Sequence, residues 1–363
     1  FKQKTAYEIG VRLVGSEMCI RDRNHPSVTG LSDGSFVVTW ESNSSQDTDD
    51  TSGYGIIGQR FDGNAQILGD AFTVNSYTSG DQHNPSVTGL DNGEFVITWG
   101  DESTSSRSSE LGDGFDNSDW AVFGQRFTTA GGDTPSTDGD LFQVNTYTSS
   151  HQYNPDANSG ESLASLSDGG FVKVWESYNQ DGDGGYYNIY GQQFDASGNT
   201  VGDEFMVNAD RTVRDQHQPS VAGLDNGEFV ITWGDQSTNS RSSELGSGFD
   251  NNDWAVFAQR FTTAGGDTPS TAGDLFQVNT YISGPQYNEI YNSGESLASL
   301  PGGGFVKVWE SYNQDGDGGY YNIYGQQFDA SGNTVGDEFM VNVDRPCLLY
   351  TSPSPRDGLL GRM

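Results

Sequence analysis

The sequence predicts an all-β protein, a β-propeller of five four-stranded, blade-like repeats that form either a complete small ring or an incomplete arc of a larger one. Three observations carry this prediction. A frame reading Pro-Ser-Val, turn, Phe-Val-x-x-Trp, polar loop, Gly-Gln-Arg-Phe, turn, Phe-x-Val-Asn recurs five times, and self-similarity of this kind marks modular stacking. Runs rich in β-branched and aromatic residues alternate with Gly, Asp, Asn and Ser, without helical periodicity. A unit of about sixty residues with four short strands makes one sheet, and one sheet cannot cover its own apolar face. Neighbouring units must therefore pack on one another, and four antiparallel strands per unit favour a ring over a solenoid.

Taken in order, residues 1–23 and 347–363 stand apart. KQKTAYEI (2–9), LVGSEMCIRDR (13–23) and CLLYTSPSPRD (347–357) resemble translated sequencing-library adapters, so both ends are expected to be adapter-derived and not native. The repeats are placed at 24–80, 81–150, 151–215, 216–285 and 286–346. The third and fifth lack the Pro-Ser-Val opening and use GESLASL and its surroundings instead. Units two and three return as units four and five at a shift of 134 residues, as in Trp99 and Trp233. In unit two the strands are expected at 86–90, 94–99, 120–127 and 141–146. The second of these, FVITW, is apolar at nearly every position, which implies burial on both faces.

Outside the adapter-like ends the chain has 10 basic against 47 acidic residues. Such a balance excludes nucleic acid and anionic membrane as partners. It points instead to bound divalent ions or a saline medium. No stretch is apolar for the length of a membrane span. Cys19 and Cys347 both lie in the adapter-like ends, so the repeats have no cysteine for a disulfide or thiol chemistry.

The Phe-Val-x-x-Trp and Phe-x-Val-Asn pattern is similar to repeats of large bacterial secreted, adhesin-like proteins that also carry calcium-binding segments. The resemblance covers all five units and implies an extracellular setting and a very long parent chain. The glycine-rich calcium nonapeptide of such proteins is absent here.

Trp40, Trp99, Trp175, Trp233 and Trp309 occupy one equivalent place at the end of an apolar strand and are expected in the core. Arg60, Arg126 and Arg260 become Gln193 and Gln327 in the other units, which suits a hydrogen-bonding spacer better than a catalytic cation. The acidic motif NQDGDGG sets Asn179, Asp181 and Asp183, and again Asn313, Asp315 and Asp317, at alternate positions before glycine. That spacing lets side-chain oxygens converge on calcium when the backbone turns sharply. The later bidentate glutamate of a helix-flanked loop is missing, and a solvated Asx turn is the plain alternative. The insertions SRSSELGDGFDNSDW and SRSSELGSGFDNNDW fall in the same loop of units two and four and should share a face with these turns. Arg107, Glu110, Phe115, Asp116 and Trp120, with Arg241, Glu244, Phe249, Asp250 and Trp254, are the candidate ligand-binding residues.

The four histidines, His25, His83, His151 and His217, lie near the entries of different units and are expected to be loop residues. No Gly-x-Ser-x-Gly elbow, HExxH, phosphate-binding glycine loop or CxxC occurs. The expected function is therefore a non-catalytic, calcium-stabilised repeat module of a large extracellular bacterial protein, not an enzyme, that binds a glycan or protein surface in adhesion. Two alternatives accompany it. One is an acidic spacer adapted to a saline medium. The other is a sialidase-like glycoside hydrolase, against which stand the scattered arginines and the unmatched Ser-x-Asp-x-Gly-x-x-Trp turn.

Overall fold

The computed structural model describes residues 23–43, 53–76, 80–90, 93–102, 120–153, 162–182, 184–209, 215–236, 254–263, 268–282, 284–287, 296–316 and 320–342. They form five antiparallel sheets, each an up-and-down ribbon in chain order, as in a β-propeller. Blade 1 has strands Arg23–Gly30, Phe36–Ser42, Gly55–Phe61 and Ile67–Thr73. Blades 2 and 4 share a plan. They run through Gln82–Gly89, Glu94–Asp101 and Ala121–Thr128, and through Gln216–Gly223, Glu228–Asp235 and Ala255–Thr262. Their outer strand is split, into Ser136–Thr137 with Phe142–Gln143 and Ser270–Thr271 with Phe276–Gln277. Blades 3 and 5 instead split the first strand, into Gln152–Tyr153 with Leu163–Ser165 and Gln286–Tyr287 with Leu297–Ser299. Their remaining strands are Phe171–Tyr178, Tyr187–Phe194 and Thr200–Met206, and Phe305–Tyr312, Tyr321–Phe328 and Thr334–Met340. No helix among the described residues is long and apolar enough to cross a membrane.

The repeated frame has a physical reading, residue by residue. In the first hairpin of blade 1 the Leu31 amide and carbonyl close on Ser35 and Gly34, and Gly34 takes φ +83°, which an L side chain adopts poorly. The glycine of Gly-Gln-Arg-Phe lies under the phenylalanine of the outer strand. A Cβ on Gly58 would sit 2.3 Å from Phe72, and one on Gly191 2.6 Å from Phe205. Blade 4 has Ala258 there. The asparagine of Phe-x-Val-Asn ends the outer strand, and the Oδ1 of Asn75, Asn145, Asn208, Asn279 and Asn342 accepts the Ile56, Val122, Ile189, Val256 and Ile323 amides respectively, at 2.8–3.0 Å. Each third strand thus loses no buried donor where the ladder stops.

Apolar cores lie between blades, not within them. One joins Leu31, Val37, Ile56 and Val74 of blade 1 to Phe95, Ile97 and Trp99 of blade 2. Equivalent clusters join blades 2 and 3, 3 and 4, and 4 and 5. Each is closed by three phenylalanines: a stacked pair from one blade, such as Phe229 and Phe261 at 5.4 Å, and an outer-strand ring of the preceding blade, here Phe205, at 5.2 Å from Phe261. Trp99, Trp175, Trp233 and Trp309 are buried as expected, and Trp175 donates its indole N–H to Gln152 at 2.9 Å. Among the described residues no such cluster joins blade 5 to blade 1. Trp40 of blade 1 is only half-buried for that reason.

Candidate functional site

At one end of the blades each first strand begins, each second strand ends and each third strand begins. Two residues meet there in blades 2 to 5, the second residue of the first strand and the one at the start of the third, and blade 1 adds the one at the start of its third strand. In these places stand Tyr54, His83, Trp120, Tyr153, Tyr187, His217, Trp254, Tyr287 and Tyr321. Their rings touch in succession, centroid to centroid at 5.1–6.0 Å, and form a continuous aromatic belt across all five blades. His151 stacks on Tyr153, and Tyr178 and Tyr312 flank Tyr187 and Tyr321. The rings from Tyr54 to Tyr287 are half-buried and Tyr321 is exposed, so edges and faces remain accessible.

Carboxylates lie beside this belt. Glu41 is 1% exposed and receives His25 Nδ1 at 2.7 Å and His83 Nδ1 at 3.4 Å. The Asn84 amide donates to it at 2.5 Å. Burial opposes its ionisation, but the hydrogen bonds from His25, His83 and the Asn84 amide outweigh burial and hold its pKa at about 2. Burial likewise opposes charge on His83, and Glu41 overcomes it and raises the imidazole above its ordinary value. Blade 3 repeats the device, with His217 Nδ1 at 2.7 Å and the Gln218 amide at 2.6 Å from Glu176. His25 and His83 therefore converge on one carboxylate, which their sequence separation hid, and the loop reading of these two residues is corrected.

Asp81, His83 and Glu102 each bring a ligand atom to within 4.8 Å of the others. Asp81 accepts the Tyr54 amide at 2.9 Å, and Glu102 is exposed. The duplicated block repeats Asp215, which accepts the Tyr187 amide at 3.0 Å, and His217, but has Gln236 in place of Glu102. Among the described residues, a cation or two-carboxylate chemistry thus has its full set of groups in one copy only.

Of the residues singled out from sequence, Trp120 and Trp254 are members of the belt. Asn179 and Asn313 sit at φ +55° and +57° in the turns between second and third strands, at the same end of the blades. The Asn179 side chain accepts the Gly184 and Gly185 amides at 3.3 and 3.0 Å. Asp181 and Asp315 accept Asn188 and Asn322 at 3.4 and 3.1 Å. Asp183, Asp317, Arg107, Glu110, Phe115, Asp116, Arg241, Glu244, Phe249 and Asp250 lie outside the described residues. Arg60, Arg126 and Arg260 lie at the opposite end of the blades, paired with Asp33, Glu94 and Glu228 at 2.5 Å. The belt was missed because its members differ in type. The signal was an aromatic at, or immediately before, the start of every third strand.

No family model matches the chain, and no curated protein matches it. Among solved structures it is similar to the Hadza microbial sialidase Hz136, with TM-score 0.50 and 12% identity over 90% of this chain and 60% of that one. It also resembles a protein of unknown function from Dyadobacter fermentans (TM-score 0.48, 13% identity, 89% and 84% covered) and a GH93 α-L-arabinofuranosidase of Fusarium graminearum (0.42, 12%, 88% and 92%). At these identities the likeness is one of fold. It nevertheless overturns the expectation of a non-catalytic adhesion module that is not an enzyme, because the arrangement of the five units is one on which a sialidase is built. Linear catalytic motifs do not report on this arrangement. A glycosidase needs two carboxylates at a set separation, and strand ends deliver them from points distant in sequence, without a contiguous signature.

Proposed function

We propose that this chain is a glycoside hydrolase that lays a glycan along the aromatic belt and cleaves it beside Asp81 and Glu102. The belt carries the reading. A run of half-buried aromatic rings offers apolar faces with polar edges, as sugar rings require, and concave apolar surfaces with a few convergent polar groups are where small ligands bind. The oxygens of Asp81 and Glu102 fall within 4.8 Å of one another, near the about 5 Å of a retaining pair. Asp81, held by the Tyr54 amide, suits the nucleophile, and exposed Glu102 suits the acid and base that exchanges protons with water. An extracellular setting and calcium at the two NQDGDGG turns belong to the same proposal, supported by net charge and alternate acidic spacing.

The test is release of reducing sugar from neutral pentosides and hexosides, with sialosides alongside. Asp81→Asn and Glu102→Gln should each lower kcat by about 100-fold or more, while Asp215→Asn in the copy that has Gln236 stays within a few-fold. Full activity in both of the first two variants, or no release from any glycoside, would refute the assignment.

A further inference from the structure

The blades alternate in kind. Blades 1, 3 and 5 carry Glu41, Glu176 and Glu310 at one equivalent place, and blades 2 and 4 carry Gly100 and Gly234 there. Blades 1 and 3 are each followed by an even blade that supplies a histidine and a backbone amide: His83 and Asn84 to Glu41, His217 and Gln218 to Glu176. Even blades meet the next odd blade without this clasp, because they carry glycine in place of the glutamate. The rest of the contact is shared by both kinds of interface: Phe142 and Phe276 cover the pairs Phe171–Phe194 and Phe305–Phe328 as Phe72 and Phe205 cover the pairs of blades 2 and 4, and Arg126 donates to Ser197 O at 2.8 Å as Arg60 donates to Gly132 O at 3.4 Å.

Blade 5 presents the odd half of the first interface with nothing on it among the described residues. Phe339 is 44% exposed where its equivalent Phe205 is 8%, and Val341 is 50% where Val207 is 4%. Glu310 receives no histidine among the described residues, and burial alone raises its pKa. Blade 1 presents the odd half of the second interface, equally bare. Its Phe36–Phe61 pair is stacked at 5.1 Å with no third ring among the described residues, and Val28 is 45% exposed where Leu163 is 1%. Its turn at Asp62, which accepts the Asn64 and Gln66 amides, matches the turn at Asp195 that Arg126 reaches.

We propose that the faces of blade 5 and blade 1 are bridged by one further four-stranded unit of the even kind, which gives its first-strand histidine to Glu310 and lays its outer-strand phenylalanine on Phe36 and Phe61. Set directly against each other, two odd ends would leave the clasp on Glu310 without its histidine. Against blade 5, blade 1 would bring Asn24 to the place of His83, and a second copy of the chain would bring that same asparagine. A single even unit makes both contacts of kinds the chain already contains, so the interface continues an established one on each side.

The test compares the full chain with a version in which residues 343–363 are replaced by a copy of 209–282, which reproduces the junction between blades 3 and 4 after Asn342. The extended chain should be monomeric, melt in one transition at least 5 °C higher, and lose most of its fluorescence with an apolar dye. Phe339→Ala should lower the melting temperature of the extended chain and leave that of the original unchanged. Replacing the histidine of the added unit by glutamine should reverse part of the gain. If the extended chain is insoluble, a copy of 76–148 from blade 2 serves as the second version. A separate transition for the added unit, an unchanged melting temperature in both versions, or a concentration-dependent dimer of the original chain that Phe339→Asp dissolves would overturn the proposal.

Discussion

Glu41 and Glu310 occupy one place in two blades, and the difference in their surroundings makes an experiment within one molecule. Glu41 is 1% exposed, between two histidines and an amide, with its pKa brought from 4.5 to about 2. At about 1.4 kcal/mol per unit, that shift corresponds to about 3 kcal/mol favouring the ionised form in the folded state. The sign follows from the direction. A depressed carboxyl stabilises the fold above its unfolded pKa near 4.5, and that stability is lost as the pH falls from there towards 2. Raised His83 acts in the opposite sense: its contribution is complete below 6.5 and disappears as the pH rises through its folded value. Glu41→Gln should therefore lower unfolding free energy by about 3 kcal/mol at pH 6, read from the urea midpoint at constant slope. Its effect should shrink towards pH 3. Glu310, raised by burial, is ionised at a cost in the folded state, so Glu310→Gln should hold or increase stability at pH 6 and above. Equal losses for the two variants, or a loss for Glu41→Gln that persists unchanged at pH 3, would refute the assignment of the Glu41 effect to its histidine clasp.

Other expectations concern the interfaces and turns. Phe205→Ala removes a ring packed on Phe229 and Phe261 and should cost about 3–5 kcal/mol in urea unfolding, whereas Phe339→Ala in the same chain should cost under about 1. Lys173 is fully buried with its ammonium against the Ser162 hydroxyl, and burial pushes its pKa well below the ordinary value. Because the unfolded chain binds that proton up to about pH 10.5, stability should rise with pH between neutrality and there. Lys173→Met should flatten the rise and stabilise by on the order of 1–4 kcal/mol at pH 7. If calcium occupies the NQDGDGG turns, a chelator at constant ionic strength lowers the melting temperature and Asp181→Asn with Asp315→Asn abolishes that response. An unchanged melt removes the ion from the proposal.

The sequence alone determined the propeller, the number of units and the burial of Trp99, Trp175, Trp233 and Trp309. Those follow from local pattern: turn residues delimit strands, and a sheet this small must lend both faces to neighbours. The asparagine of Phe-x-Val-Asn was visible as a motif, but its use as an acceptor for the third strand needed coordinates. The tertiary structure decided the rest. His83 and Glu41 are 42 residues apart in sequence and come within 3.4 Å of each other because blades pack side by side. The belt combines tyrosine, tryptophan and histidine, so identity of residue type could not reveal it. Its rings come together because every blade begins its first and third strands at the same end. Alternation of glutamate and glycine was written in the chain, yet only the packing showed that it pairs odd blades with even ones and leaves two odd faces open.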